Sequence, residues 1–362
     1  MEASGTAPCF FSDGTKGNCH IKIAFFTKGL PSDRPNGVSC QVHRLANALV
    51  RRGHDLTCIS FSSRPHDGEY GHVPLTFGTD SRLRRKFVPA RAFASYPTAG
   101  FDILHYHGDD FLCAGSSRRV RTFYGSALQE ARHARSLGRF LYQSLFYLFE
   151  LFSCARRGAK VGISRVTCDA LPCVKQHIPC GVPIDIYTPG GRKTETPSIL
   201  FLGDLGSRKR GSLLVKAFFE QVRPAFPSSV LTIVGPERVS GDGIRYLGTV
   251  GESRLVEEYR ATWVYCMPSS YEGFGVPAIE AMACGTAVVA TENPGTREVL
   301  GNERYGLLTT PAALGRTLGQ VLGDAGLRGH LQEEGRRLVH ERYDISITAR
   351  RYEDVYASMR MR

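Results

Sequence analysis

Short apolar runs separated by stretches of helical length set the rhythm of this chain from Ile21 onward. In the first half, Ile21–Thr27, Asp55–Phe61, Asp102–Tyr106, Arg119–Phe123 and Lys160–Ile163 read as strands. Helices are expected between them over Val38–Arg52, Leu128–Arg157 and Arg165–Lys175. The second half repeats the alternation, with strands at Ser198–Gly203, Val230–Gly235, Ile244–Gly248, Thr262–Pro268, Thr286–Thr291 and Tyr305–Thr309. Its helices are expected at Gly211–Val222, Glu252–Ala261, Pro277–Cys284 and Thr296–Leu300, and through most of Pro311–Met361. Strands alternating with helices imply an α/β chain of parallel, doubly wound sheets covered on both faces. Right-handed crossovers then put ligand loops at the carboxyl ends of the strands.

The rhythm fails in two places. Residues 64–98 are rich in Pro, Gly, Arg and His and read as a loop. Pro179–Pro197 carries several Pro and Gly and reads as a crossing between domains. A chain of 362 residues is typical of two domains. The expected organisation is a disordered tail (1–20), a first domain (21–180), a linker (181–197), a second domain (198–344) and a closing helix (345–362).

Composition narrows the class. With 42% hydrophobic and 22% charged residues the chain reads as an ordinary soluble globular protein. No run of 18 or more apolar residues could span a membrane, and the amino terminus lacks a secretory pattern, so cytoplasmic residence is expected. Eleven cysteines without a CxxC pair read as buried free thiols in a reducing compartment. Cys168, Cys173 and Cys180 with His177 fit no zinc spacing. The net charge of +12 gathers in Arg82–Arg91, Arg118–Arg121, Arg132–Arg139 and Arg156–Arg157. It suits a solvated basic face, an anionic acceptor or peripheral contact with an anionic membrane. Nucleic acid is not expected, because no helix-turn-helix, zinc finger or aromatic RNA-binding signature accompanies the charge. Arg139–Phe152 is apolar nearly all round and reads as a core helix, with an interfacial patch as the alternative.

The candidate chemistry lies in the second half. Glu272 and Glu280 stand with seven residues between them, around the glycine turn Gly273-Phe274-Gly275 and a helix opened by Pro277 and closed by Gly285. Two acceptors flanking free backbone N–H groups and a positive dipole end suit a polyhydroxyl, phosphorylated ligand. The loop Gly203–Gly211 carries Arg208, Lys209 and Arg210 between a strand and a helix, a place for a diphosphate; a solvated basic loop is the plainer alternative. Asp109 and Asp110 are adjacent rather than spaced for a metal and read as a loop or helix cap.

At the Glu, seven residues, Glu signature the chain resembles the retaining GT-B glycosyltransferases of family 4. Gly37 after the first strand, His105–Gly108, Ile163–Arg165, Pro179–Asp185, Gly203–Gly211 and Gly295–Glu298 match in the family's order. The resemblance implies two Rossmann-like domains facing across a cleft, with the last helix returning to brace the first. It implies transfer of a sugar from a nucleotide-sugar, UDP- or GDP-linked, to a hydroxyl of a glycan, lipid-linked or natural-product acceptor. The nucleotide-sugar is a co-substrate, and neither a metal nor another cofactor is expected.

By the same resemblance Glu272, with the backbone at Gly273, Phe274, Gly275 and Val276, holds the donor sugar, and Glu280 accepts from the ribose. Gly248, Thr249 and Val250 are candidates for the base contact. Arg208, Lys209 and Arg210 meet the diphosphate, and Gly37 lets backbone approach the phosphates. His107 and Tyr124 are candidates beside the donor sugar. Four positions depart from the family: Val38 stands for its second glycine after Gly37, Tyr124 for its His, Asp204 for its Arg and Arg210 for its Lys. A tyrosine donates a hydrogen bond but cannot become an imidazolium. The implied mechanism is same-face attack, with the leaving phosphate taking the acceptor's proton and no protein nucleophile. A GT-B epimerase, a glycan phosphorylase and a catalytically silent sugar-nucleotide or nucleic-acid binding protein are the competing readings.

Overall fold

The structure, a computed structural model, describes residues 20–32, 36–79, 81, 84–134 and 136–360. The expected disordered tail, but for His20, and the chain's last two residues lie outside them. By contacts the chain falls into two compact units. One holds the described residues up to Arg121, Arg156–Ala159 and those from Val355; the other holds Thr122–Ala155 and Lys160–Asp354.

The first half of the chain runs β1 (Lys22–Phe26), α1 (Gly37–Arg51), β2 (Asp55–Ser60), β3 (Gly71–Pro74), α2 (Arg84–Ala94), β4 (Ile103–Tyr106) and β5 (Arg119–Phe123). It continues through α3 (Ala127–Arg132), α4 (Leu137–Ala155), β6 (Ala159–Gly162), α5 (Arg165–Ala170) and β7 (Gln176–His177). Its sheet has the order β3-β2-β1-β4-β5-β6-β7. Phe26 lies beside Ile59 on one flank and Tyr106 on the other, both in parallel register. α1 begins where Asn36 accepts from the N–H groups of Val38 and Ser39 while the Ser39 hydroxyl answers the Asn36 N–H, a capping box.

Four expectations are corrected here. Residues 64–98 contain β3 and α2; Pro74 ends the strand and Pro89 sits inside the helix, which hides both from pattern. The helix expected over Leu128–Arg157 is two, one ending at Arg132 and the next beginning at Leu137. That expected over Arg165–Lys175 stops at Ala170, because Leu171 precedes Pro172 and is extended (φ −127°, ψ 104°). The cysteines are not all free: Cys154 and Cys173 are disulfide-bonded, their Cα atoms 5.6 Å apart. Both pack in a small apolar cluster with Phe123, Leu171 and Val174, which brings together residues 19 apart in sequence.

The second half runs β8 (Ser198–Leu202), α6 (Gly211–Ala217), a π-helical turn (Phe218–Val222), α7 (Arg223–Ala225), β9 (Val230–Val234), β10 (Ile244–Gly248) and α8 (Glu252–Ala261). It continues β11 (Val264–Met267), α9 (Val276–Ala283), β12 (Ala287–Thr291), α10 (Pro294–Leu300) and β13 (Leu307–Thr309). It ends in α11 (Leu314–Gly323), α12 (Ala325–Leu338), a second π-helical turn (Val339–Tyr343) and α13 (Ile345–Arg360). The sheet order is β10-β9-β8-β11-β12-β13, all parallel.

Alternate strand residues feed two separate cores, as an open sheet covered on both faces requires. Ile199, Phe201, Val264 and Cys266 enter one; Leu200, Tyr265, Met267 and Val288 enter the other. The strand order reverses between β8 and β11, so the loops leaving those two strands lie side by side.

Candidate active site

The loop leaving β8 is folded by its own side chains. Asp204 accepts from the Ser207 N–H and hydroxyl, both at 2.7 Å, and Glu237 accepts from the Leu205 N–H at 2.8 Å. The acidic residue at 204 thus shapes the turn that presents the cations. Those cations have different tasks. Lys209 Nζ lies 2.7 Å from Glu272 Oε1, and Arg208 Nη1 donates to Glu272 Oε2 at 3.0 Å and to the Tyr271 carbonyl at 2.8 Å. Arg210, in the left-handed region at φ 51°, donates to the Pro268 carbonyl at 2.7 Å and to Thr291 Oγ1 at 2.9 Å.

Glu272 is buried between these cations. Burial pushes its carboxyl up, but Lys209 and Arg208 more than reverse this and hold it below the usual carboxylate range. The loop leaving β11 passes from Glu272 to Gly275, whose φ of 111° favours glycine, and α9 then starts at Val276 with Pro277 in its first turn. No side chain caps that end of α9; Pro277 lacks an N–H and the Ala278 N–H donates to the Gly275 carbonyl at 2.9 Å, so the positive end of the helix dipole, four residues after Glu272, is what the start of α9 offers a ligand. From behind, the start of α10 presses on the turn: a Cβ on Gly295 would lie 2.3 Å from the Glu272 carbonyl oxygen. Asn293 caps α10 with Thr296 and donates to the Ser269 and Thr291 carbonyls at 3.1 and 3.2 Å.

The other candidates in this unit are gathered nearby in sequence or packing. Glu280, buried in α9, accepts from the Tyr259 hydroxyl at 3.2 Å. Phe274 meets Tyr343 edge to face at 5.5 Å. Gly248 ends β10 at φ 69°, and Val250 and the Tyr124 ring pack on the core that holds Phe274 and Ile279. The Tyr124 carbonyl lies 3.1 Å from where a Cβ on Gly273 would stand.

Gly37 and His107 belong to the other unit. Gly37 opens α1, and a Cβ there would meet nothing within 4 Å. His107 is buried, 4.1 Å from the His105 ring and 4.4 Å from Phe25. Burial keeps both imidazoles neutral, His105 down at about 3 and His107 well below its ordinary value, where the neighbouring ring adds to the effect. Asp110 is paired with Arg119 and Arg121.

Sequence reasoning named Glu298 only within the Gly295–Glu298 match and missed Tyr271, Thr291 and Asn293 as parts of this region. Glu298 accepts from the Arg165 N–H at 2.9 Å and stands 3.1 Å from His177 Nε2. The Asn-Pro-Gly-Thr run of 293–296 is a readable helix start; Tyr271 and Thr291 carry no motif. Among the described residues, no group of three His, Cys, Asp or Glu is placed to hold a metal. What remains is a buried carboxylate neutralising two cations beside an uncapped helix start, a site able to grip phosphate with one set of groups and hydroxyls with the other.

Residues 35–186 match the glycosyltransferase family 4 description, and residues 186–338 match glycosyl transferases group 1. The chain belongs to glycosyltransferase family 4. It is 29% identical, over 90% of its own length and 94% of the relative's, to the phosphatidyl-myo-inositol mannosyltransferase of Mycobacterium tuberculosis (strain ATCC 25618 / H37Rv). A D-inositol 3-phosphate glycosyltransferase of Xylanimonas cellulosilytica is 32% identical over half of each chain. The sucrose-phosphate synthase of Thermosynechococcus elongatus has the same fold, with a TM-score of 0.75 at 20% identity over 94% of this chain and 99% of that one. The two parallel α/β sheets of this family 4 enzyme are those of the GT-B fold.

Proposed function

We propose that this enzyme moves a hexose, mannose by likeness to its mycobacterial relative, from a GDP- or UDP-sugar to a hydroxyl of an inositol lipid, with retention and without metal. The carrying observation is the pairing of Glu272 with Lys209 and Arg208 at the uncapped start of α9. An arriving diphosphate competes for the two cations, and the carboxylate they release turns to the sugar hydroxyls. The sugar C1–O bond to phosphate breaks, the acceptor oxygen bonds C1 from the same face, and its proton passes to the leaving phosphate. Negative charge building on that phosphate is met by Lys209, Arg208 and the positive end of the α9 dipole. Arg210 steadies the loop by its bonds to Pro268 and Thr291.

Glu280 takes the ribose hydroxyls, and Gly248 and Val250 border the base. Tyr124 donates to the donor sugar, Gly37 admits the phosphates, and His107 supports the site as a neutral ring. The names of two relatives share inositol, which supports the acceptor class. The charge of +12 supports an acceptor held in an anionic membrane, reached peripherally from the cytoplasm.

The test is a thermal-shift and transfer assay against GDP-, UDP-, ADP- and dTDP-hexoses with phosphatidylinositol, in excess chelator. One GDP- or UDP-sugar is expected to raise the Tm and to support transfer, and Glu272→Gln to remove most turnover. Turnover of that variant within threefold of wild type, or transfer only after a divalent cation is added, would refute the reading.

A further inference from the structure

Of the nine large apolar side chains most exposed among the described residues, six lie on α4: Leu137, Phe140, Leu141, Leu145, Leu148 and Phe152, at 44–73% exposure. The helix expected in the core is therefore half uncovered. Leu137, Leu141, Leu145, Leu148 and Phe152 recur at steps of four, four, three and four, which puts them along one side of the helix. The stripe runs about 22 Å at the helical rise. A continuous apolar face of this kind marks a contact surface.

The rest of α4 is tied to the protein. The Glu150 carboxylate accepts from the Ala127 N–H at 3.0 and 3.1 Å, the Tyr147 hydroxyl donates to the Ala170 carbonyl at 3.0 Å, and Cys154 is bonded to Cys173. The stripe itself carries no carboxylate. Glu150 is turned to the start of α3, and Glu130 is paired with Arg139 at 3.2 Å. The exposed Arg132 and Arg139 precede or open the helix, and the exposed Arg156 and Arg157 follow it.

We infer that the α4 stripe is the face by which this enzyme rests on an anionic lipid bilayer, an inference that rests on the lipid-acceptor reading above. Leucine and phenylalanine enter the acyl boundary while the flanking arginines meet lipid phosphates. A second copy of a chain with net charge +12 would instead bring like charges together along the same stripe. No helix among the described residues is long and apolar enough to cross a membrane, so α4 lies in the interface plane.

The full chain is floated with vesicles of phosphatidylcholine alone or mixed with phosphatidylglycerol. Wild type is expected to float with the mixed vesicles, and the double variant Leu141→Glu/Leu145→Glu to lose on the order of tenfold or more of that binding. A Leu145→Trp variant is expected to show a blue-shifted emission on the same vesicles. Circular dichroism and the Tm shift given by the nucleotide-sugar are expected to be unchanged in the double variant. Loss of the surface thereby reads differently from loss of donor chemistry. Equal flotation of wild type and double variant overturns the inference. So does a wild-type dimer in sedimentation that the double variant breaks while neither binds vesicles.

Discussion

Asp110 and Glu272 are each a carboxylate set between two cations, and the two settings differ in how water reaches them. Asp110 sits between Arg119 and Arg121 with side-chain exposures of 2%, 0% and 11%. Glu272 sits between Arg208 and Lys209, whose side chains keep 37% and 19%. In the closed setting no partner can leave without stranding a charge in the interior, so the pairing is permanent. In the open one the cations can trade the carboxylate for another anion. On the function proposed above, the same residue chemistry serves architecture in one place and exchange in the other.

The largest effect should come from breaking the closed setting. Asp110→Asn is expected to cost about 3–5 kcal/mol of folding stability, because it removes the buried carboxylate paired with two buried guanidinium groups. Urea denaturation measures this, and a midpoint equal to wild type would show that water already reaches the cluster. Lys209→Ala, in the open setting, should instead raise the barrier to transfer by about 3 kcal/mol, roughly a hundredfold in rate. Its melting temperature should barely change; a large fall with intact turnover would reverse the contrast.

Acid sharpens the comparison further. His105 is held neutral down to about 3, against an ordinary value near 6.5, so the unfolded chain takes up a proton that the folded chain refuses. Stability therefore falls as pH drops below about 6.5, by about 2 kcal/mol between pH 7 and pH 5 for this ring alone. Glu272 is held below the carboxylate range, so its contribution persists to lower pH and is lost only as pH falls through its own value. Urea midpoints that do not move between pH 7 and pH 5 would mean that the imidazole is charged in the fold. The smallest effect is expected from Asp204→Ala, which removes the two bonds to Ser207 at about 1 kcal/mol and should raise the donor KM a few-fold. No change in donor KM would separate the shape of that loop from binding.

Much of the second sheet was legible because its strands are continuous apolar runs and its helices carry plain start and stop signals, such as Pro277 and Gly285 around α9. The glutamate pair and the basic triplet could be named from spacing. What spacing could not say is that Arg210, whose backbone is left-handed, donates to a carbonyl and a threonine while Arg208 reaches Glu272. α2 and β3 were hidden by prolines. The disulfide was hidden by an intervening strand and helix, and the open side of α4 by a sequence apolar nearly all round.

If Glu272 holds the donor sugar as proposed, the close approach of α10 to its turn limits how this enzyme can change its choice of sugar. Any side chain at 295 would have to displace the peptide that carries the glutamate, and one at 273 would crowd the Tyr124 carbonyl. Laboratory evolution toward a new donor should therefore collect its first substitutions where the framework gives way, at Tyr124 and Asp204, and leave both glycines untouched.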